Sequence, residues 1–368
     1  MKSILSDQKE ELLFRNVALL RSSFRMDGGG ERQFLNYISA FHQLSDSMTV
    51  VSGRTGTAGK VWPSPNEVAS LSVDFDKRGK QVVSNITAQQ KFDLIHSHEW
   101  TPGADSVRIG DGLHSIFLER MRSQGSVLTR LRFLSCFHKR KLELERETLT
   151  HSNLQFVISP SQMCLDEFEA AYPSSSTKRG VIVNPVDPRY LAAPLEENRI
   201  NGRLKIIFVG SGWRRKGLDL LLSALGLLTR PFVLSVIGSD PHSDRYKKLS
   251  QNLSIDRYIE WVGVEENLAE RYRNADLLVL PALYEPAGNV VTEALALGCK
   301  VILSDCVGNK EFVNEVNGCV VPNTIESLHE AIELFQPAES RQAVRASVSH
   351  LTFDNFRNSL FQFYAGEA

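Results

Sequence analysis

The sequence predicts an α/β protein built from two doubly wound domains facing each other across a cleft. Three observations lead there. The length of 368 residues exceeds what one hydrophobic core usually organises. Short apolar runs alternate with stretches of helical periodicity along the chain. The alternation then starts afresh after a Pro-, Glu- and Asn-containing segment ending at Arg203.

Composition narrows the function classes. At 42% hydrophobic and 23% charged, the chain can bury real cores. Its 42 basic and 43 acidic residues give a net charge of -1, without the basic surplus of a general nucleic-acid binder. The five cysteines (Cys136, Cys164, Cys299, Cys306 and Cys319) are scattered and include no Cys-x-x-Cys pair. That argues against a disulfide framework or zinc knuckle and for a reducing, cytoplasmic setting. No run approaches the ~20 apolar residues of a membrane span. Charges through residues 1 to 15 leave no apolar signal-peptide core.

In the first half, Val17 to Leu20 reads as a buried strand, followed by a glycine loop at Gly28 to Gly30 and a helix over Glu31 to Phe41. Met48 to Val51, Phe92 to Ile95 and Phe156 to Ile158 read as further strands of a mostly parallel sheet. Beyond the hinge, strands are expected at Leu204–Val209, Phe232–Ile237, Ile259–Val262, Asp276–Leu280 and Lys300–Leu303. In such sheets ligands sit beyond the carboxyl ends of the strands, so the following loops are the places to look.

Two loops of the second half carry the sharpest chemistry. After Val209, the stretch Gly210-Ser-Gly212-Trp-Arg-Arg215-Lys216 combines tight turning with two cations at the cleft mouth, a combination suited to a diphosphate. A solvated basic turn is the competing reading. After Pro281, Glu285 sits in a loop, and a helix begins near Gly288 to Val290, whose free N–H groups make an anion site. Glu293 lies eight residues past Glu285, about one turn into that helix. The two carboxylates can flank a sugar nucleotide; an ordinary carboxylate near the positive helix end is the alternative for Glu293.

With these residues in place the sequence resembles glycosyltransferase family 4, through Glu285-Pro-Ala-Gly288, Thr292-Glu-Ala294 and the upstream Gly-x-x-Arg-Lys-Gly loop. The resemblance implies a retaining, metal-independent enzyme of the GT-B fold, with two Rossmann-like domains facing across a cleft. Residues 1–185 would form the acceptor-binding domain and 186–350 the nucleotide-sugar-binding domain, with a helix in 351–368 packing back on the first. Arg215 and Lys216 would bind the donor diphosphate, helped by Gly212 and by the backbone of Gly288, Asn289 and Val290. Glu285 would contact the sugar and Glu293 the ribose, and the base would lie against Val262 and Val264. Gly29 and Gly30 would let the first glycine loop approach the donor phosphate. Ala287 stands where the family usually has phenylalanine.

Gly110-Asp-Gly-Leu-His114 is similar to the lipopolysaccharide core glucosyltransferase branch, which makes Asp111, with Glu285, a candidate catalytic carboxylate. A turn aspartate is the competing reading. His98 and His114 are secondary candidates on the acceptor side. The implied donor is a nucleotide-diphosphate sugar, UDP-glucose by default, and the acceptor a saccharide or glycolipid. No cofactor and no metal are expected, and Asp74-Phe-Asp76 is treated as a chance Asp-x-Asp match.

Residues 120–141 hold seven basic and no acidic residues, with Val127, Leu128, Leu131 and Leu134 at helical spacing. This pattern suits peripheral contact with an anionic membrane surface, and a solvated helix packed by its leucines is the competing reading. Two rivals stay open: an epimerase on the same fold, which needs no acceptor site, and a non-catalytic nucleotide-sugar-binding subunit. The basic stretch near Asp111 argues against the first. Joint presence of Arg215, Lys216, Glu285 and Glu293 argues against the second.

Overall fold

The computed structural model describes residues 12–22, 29–53, 69–73, 81–123, 135–195, 202–265 and 267–366. Among the described residues, thirteen strands form two all-parallel sheets. The first has seven strands in the order β3 (Ala69–Val73), β2 (Ser45–Gly53), β1 (Phe14–Arg21), β4 (Leu94–Ser97), β5 (Ser106–Arg108), β6 (Phe156–Ser159) and β7 (Lys178–Val181). The second has six, in the order β10 (Ile259–Gly263), β9 (Phe232–Ile237), β8 (Leu204–Val209), β11 (Leu277–Leu280), β12 (Lys300–Ser304) and β13 (Gly318–Val321).

The apolar runs explain the layering. Along β1, Val17 and Leu19 join one core while Ala18 and Leu20 join the opposite one. Along β8, Ile207 and Val209 face one core and Leu204, Ile206 and Phe208 the other. Strands buried on both faces need continuous apolar runs and a helical layer on each side, which parallel crossovers supply. The expected strands are all present. Strands β3, β7 and β13 were not anticipated: β7 (Lys-Arg-Gly-Val) and β13 (Gly-Cys-Val-Val) are short, partly exposed edges without an apolar run.

Both sheets reverse their strand order beside the first strand, between β1 and β4 and between β8 and β11. Crevices form at such switch points, because neighbouring crossovers leave to opposite faces. The start of helix Gly29–Leu44 after β1, the basic loop after β8 and the Glu285 loop after β11 all lie at the carboxyl ends of these strands.

The helix Phe353–Ala365 lies outside the second sheet and packs on the first. Thr352 caps it by accepting from the Asn355 N–H, and Phe356, Leu360 and Phe363 enter the core built by Phe34, Tyr37 and Phe41. Each such burial contributes about 1.5–3 kcal/mol, so the last turns of the chain tie its two halves together.

Beneath this helix sits a polar pocket within the first core. His96 Nδ1 lies 2.9 Å from Ser106 Oγ and 3.0 Å from the Tyr364 hydroxyl, and its ring stacks on Tyr37. Burial, aided by the positive charge of Arg108, lowers the His96 pKa from 6.5 to about 3. The unfolded chain therefore takes up a proton below pH 6.5 that the folded protein refuses. Stability from this group is complete above pH 6.5 and falls as the pH drops toward 3, by roughly 1.4 kcal/mol per unit. Urea denaturation at pH 7 and pH 5 should show a drop in midpoint for the wild type and a smaller drop for His96→Gln; equal drops would contradict this account.

Candidate active site

The loops after β8 and β11 meet in an ion cluster. Glu285 Oε2 accepts from Arg215 NH1 at 2.8 Å and from Lys216 Nζ at 2.5 Å. Arg215 NH1 also donates to the Tyr284 carbonyl at 2.8 Å, so one guanidinium fixes both the carboxylate and its backbone. The cations are not at an open mouth as the sequence implied: Lys216 is only 7% exposed. The helix expected to start near Lys216 to Leu218 begins at Leu218 and runs to Leu225, and a single turn Trp213–Lys216 precedes it. That turn folds Lys216 back over Gly210, where a Cβ would meet the lysine Cε at 2.5 Å. Glycine at 210, with φ of +124°, is a condition for the buried lysine.

Burial pushes the Glu285 carboxyl upward, but the Arg215 guanidinium and Lys216 ammonium together outweigh this and bring it to about 2. Glu285 raises the pKa of Arg215, and burial lowers that of Lys216. Two cations share one hydrogen-bonded carboxylate in a poorly solvated place, where charge interactions are strong. The negative charge of Asp111 also reaches Arg215. Asp111 itself is exposed in the loop after β5, so the structure brings this first-domain carboxylate toward the second-domain cations.

The Glu285 loop is held from both sides. Glu285 N–H donates to the Cys306 carbonyl, and Gly308 N–H to the Glu285 carbonyl. From the first domain, Ser161 Oγ donates to the Pro286 carbonyl at 2.7 Å, and the Tyr284 hydroxyl to Glu167 Oε2 at 2.8 Å. Arg120 donates to Glu167 at 2.7 Å and to Cys306 Sγ at 2.8 Å. This basic residue of the 120–141 segment thus joins the two domains. Residues 124–134, with Val127, Leu128, Leu131 and Leu134, lie outside the described residues, as do Gly28, Asp74 and Asp76.

Helix Asn289–Ala296 starts after Gly288, whose φ is +77°, and the Val291 N–H closes its first turn on the Gly288 carbonyl. Gly29 and Gly30 are exposed opposite it and form the first turn of helix Gly29–Leu44 rather than a free loop. Gly212 is exposed, Val290 and Val262 are half-buried, and Val264 is 65% exposed at the rim beside β10.

Glu293 has partners that sequence reasoning missed. Its Oε1 accepts from Arg32 NH1 at 3.0 Å, and Tyr272 donates to its Oε2 at 3.2 Å. Burial raises the Glu293 pKa, an effect Arg32 only partly offsets. Arg32 lies 261 residues away, on the opposite domain, and no local pattern announces such a contact.

The two histidines are placed less centrally. His98 packs edge-on against Phe34 and Tyr37, and burial drives its pKa well below the ordinary value. His114 begins helix His114–Ser123, whose first N–H donates to Glu145, while its ring Nε2 lies 3.0 Å from His138 Nδ1. Among the described residues, no group of three or more His, Cys, Asp or Glu is placed to hold a metal, and no helix is long and apolar enough to cross a membrane.

Residues 27–190 match the family described as Glycosyltransferase Family 4, and residues 194–346 match Glycosyl transferases group 1. The chain belongs to glycosyltransferase family 4. This family 4 chain is 27% identical over 259 residues to an uncharacterized glycosyltransferase of Methanocaldococcus jannaschii, covering 66% of each. It is 29% identical over 134 residues to the lipopolysaccharide glucosyltransferase WaaG of Escherichia coli, covering 34% of this chain and 36% of that one. These alignments therefore span less than two thirds of the relatives' own lengths. In three dimensions it resembles the crystal structure of WaaG, with a TM-score of 0.69 at 19% identity over 95% of this chain and 98% of that one. It also resembles the Anabaena protein HepE in complex with UDP and glucose, with a TM-score of 0.66 at 16% identity over 96% of this chain and all of that one. The fold is GT-B.

The cluster makes a direct prediction. Glu285→Gln leaves the buried Lys216 and the partly exposed Arg215 without their counter-charge, which costs about 3 kcal/mol, mostly through Lys216. The melting temperature should fall, and millimolar pyrophosphate should restore it by supplying the missing charge. An unchanged melting temperature would show that the ion cluster contributes nothing to stability. In the wild type this contribution is complete above the ordinary glutamate pKa near 4.5 and is lost as the pH falls through about 2.

Proposed function

We propose that this chain is a retaining glycosyltransferase that moves a hexose, glucose, from a UDP-linked donor to a saccharide acceptor such as a lipopolysaccharide core or another surface glycan. The observation that carries this reading is the buried Glu285–Arg215–Lys216 cluster at the switch point of the second sheet. A donor diphosphate entering there would take over the two cations and release Glu285 to accept hydrogen bonds from the donor sugar. The same cations would then stabilise the charge that grows on the leaving diphosphate, without a resident metal. Gly288, Asn289 and Val290 would add N–H groups from the helix start, with Gly29, Gly30 and Gly212 around the phosphates. The base would rest by Val262 and Val264, and Glu293 would exchange Arg32 for the ribose hydroxyls.

Asp111 reaches over from the acceptor domain, residues 1–185, toward the donor domain, residues 186–350. There it would orient an acceptor hydroxyl or stabilise oxocarbenium-like charge. UDP and glucose are the ligands named for the HepE complex, which supports the choice of donor. His98 and His114 act through packing rather than by touching the acceptor. For peripheral attachment at the inner face of the cytoplasmic membrane, the exposed Phe137, Lys139 and Lys141 support contact with anionic lipid, whereas Arg120 is committed to Glu167 and Cys306.

Donor consumption with EDTA present, across UDP-, GDP- and ADP-sugars, tests the proposal. Release of UDP from UDP-glucose is expected, with a loss of about 100-fold or more in Asp111→Ala. No release from any donor would defeat the transferase reading, and unchanged turnover in Asp111→Ala would remove that residue from the mechanism.

A further inference from the structure

A polar chain runs from the core of the first domain to the start of helix Asn289–Ala296. Arg108, the last residue of β5, is 6% exposed and lies over the Tyr37 ring, 5.6 Å from its centroid. Its NH2 donates to Asn184 Oδ1 at 2.7 Å, and Asn184 Nδ2 donates to Asn289 Oδ1 at 2.7 Å. Among the described residues no carboxylate pairs with this guanidinium. Its route is kept open by glycine: a Cβ at Gly110 would stand 1.9 Å from Arg108 NH1. A buried cation is costly to keep, so its hydrogen bond deserves a use.

The direction of the chain follows from chemistry alone. A guanidinium only donates, so Asn184 must offer it Oδ1 and turn Nδ2 the other way. Asn289 must then meet Asn184 with Oδ1, which leaves its own Nδ2 as the remaining end of the amide. That end faces the first turn of helix Gly29–Leu44, since a Cβ at Gly29 would lie 3.5 Å from Asn289 Nδ2.

We propose that the side-chain amide of Asn289 is a substrate-binding group that donates to an anionic oxygen of the donor diphosphate, and that Arg108 and Asn184 are positioning residues that set its polarity. This goes beyond the backbone role given to Asn289 above and rests on the reading of that helix start as the diphosphate site. Arg108 thus acts on the donor site through hydrogen-bond direction, from the other domain and without touching the ligand.

Asn184→Asp tests the idea, because it keeps the shape and reverses the polarity. The new carboxylate still pairs with Arg108 but has only acceptors, so Asn289 must turn Nδ2 toward it and present Oδ1 to the cleft. By calorimetry, UDP affinity should fall about tenfold or more, the size of one charge-assisted hydrogen bond exchanged for a repulsion, while uridine affinity stays unchanged. In an Asn289→Ala background, Asn184→Asp should cost nothing further. Equal UDP affinity in Asn184→Asp and wild type overturns the proposal. Should that variant not fold, Asn289→Ala alone decides: a selective loss of UDP over uridine supports it, and unchanged UDP affinity overturns it. Wild-type protein that binds none of UDP, GDP and ADP would overturn the diphosphate-site reading itself, and this inference with it.

Discussion

Everything distinctive in this molecule turns on two cations, buried Lys216 and partly exposed Arg215, sharing one carboxylate. Arg215, Lys216 and Glu285 come from two loops that meet only because β8 and β11 are neighbours at the point where the strand order reverses. Burial makes the cluster sensitive: two positive charges with one negative partner are costly in a poorly solvated place. The fold holds this imbalance through the Gly210 turn beneath Lys216 and through backbone bonds on both sides of Glu285. Under the proposed function, the excess cation of this cluster is a partner for a donor diphosphate.

The same constraint explains why the domains are tied so closely beside the site. Tyr284 to Glu167, Ser161 to Pro286 and Arg120 to Cys306 all hold the Glu285 loop from the first domain. Arg32 to Glu293 closes the other side of the cleft. The helix Phe353–Ala365, packed on the opposite domain from the sheet that precedes it, makes the two halves one unit.

Much of this was legible in the chain. Strands such as Leu204–Val209 announce themselves because burial on both faces demands an unbroken apolar run. The edges β7 and β13 stayed hidden for the converse reason, being half-exposed with no apolar signature. Arg215, Lys216 and Glu285 could be grouped only through the resemblance to a known family, because β8 and β11 are neighbours without being consecutive in the chain. That Glu285 neutralises both cations, and that Lys216 is buried, depends on a single-turn helix no periodicity signals. The partners of Glu293 and the chain Arg108–Asn184–Asn289 link residues dozens to hundreds of positions apart. Such contacts arise from the docking of finished domains, and no local pattern encodes them.

The central claim is that Arg215 and Lys216 exist to hold a diphosphate. Calorimetric titration of UDP and of uridine into wild type and Lys216→Met, with EDTA present, tests it most directly. The account predicts a loss of about 100-fold in UDP affinity for the variant, as expected for removing one buried charged partner, and no change for uridine. Equal UDP affinity in the two proteins, or an equal loss for uridine, would contradict it.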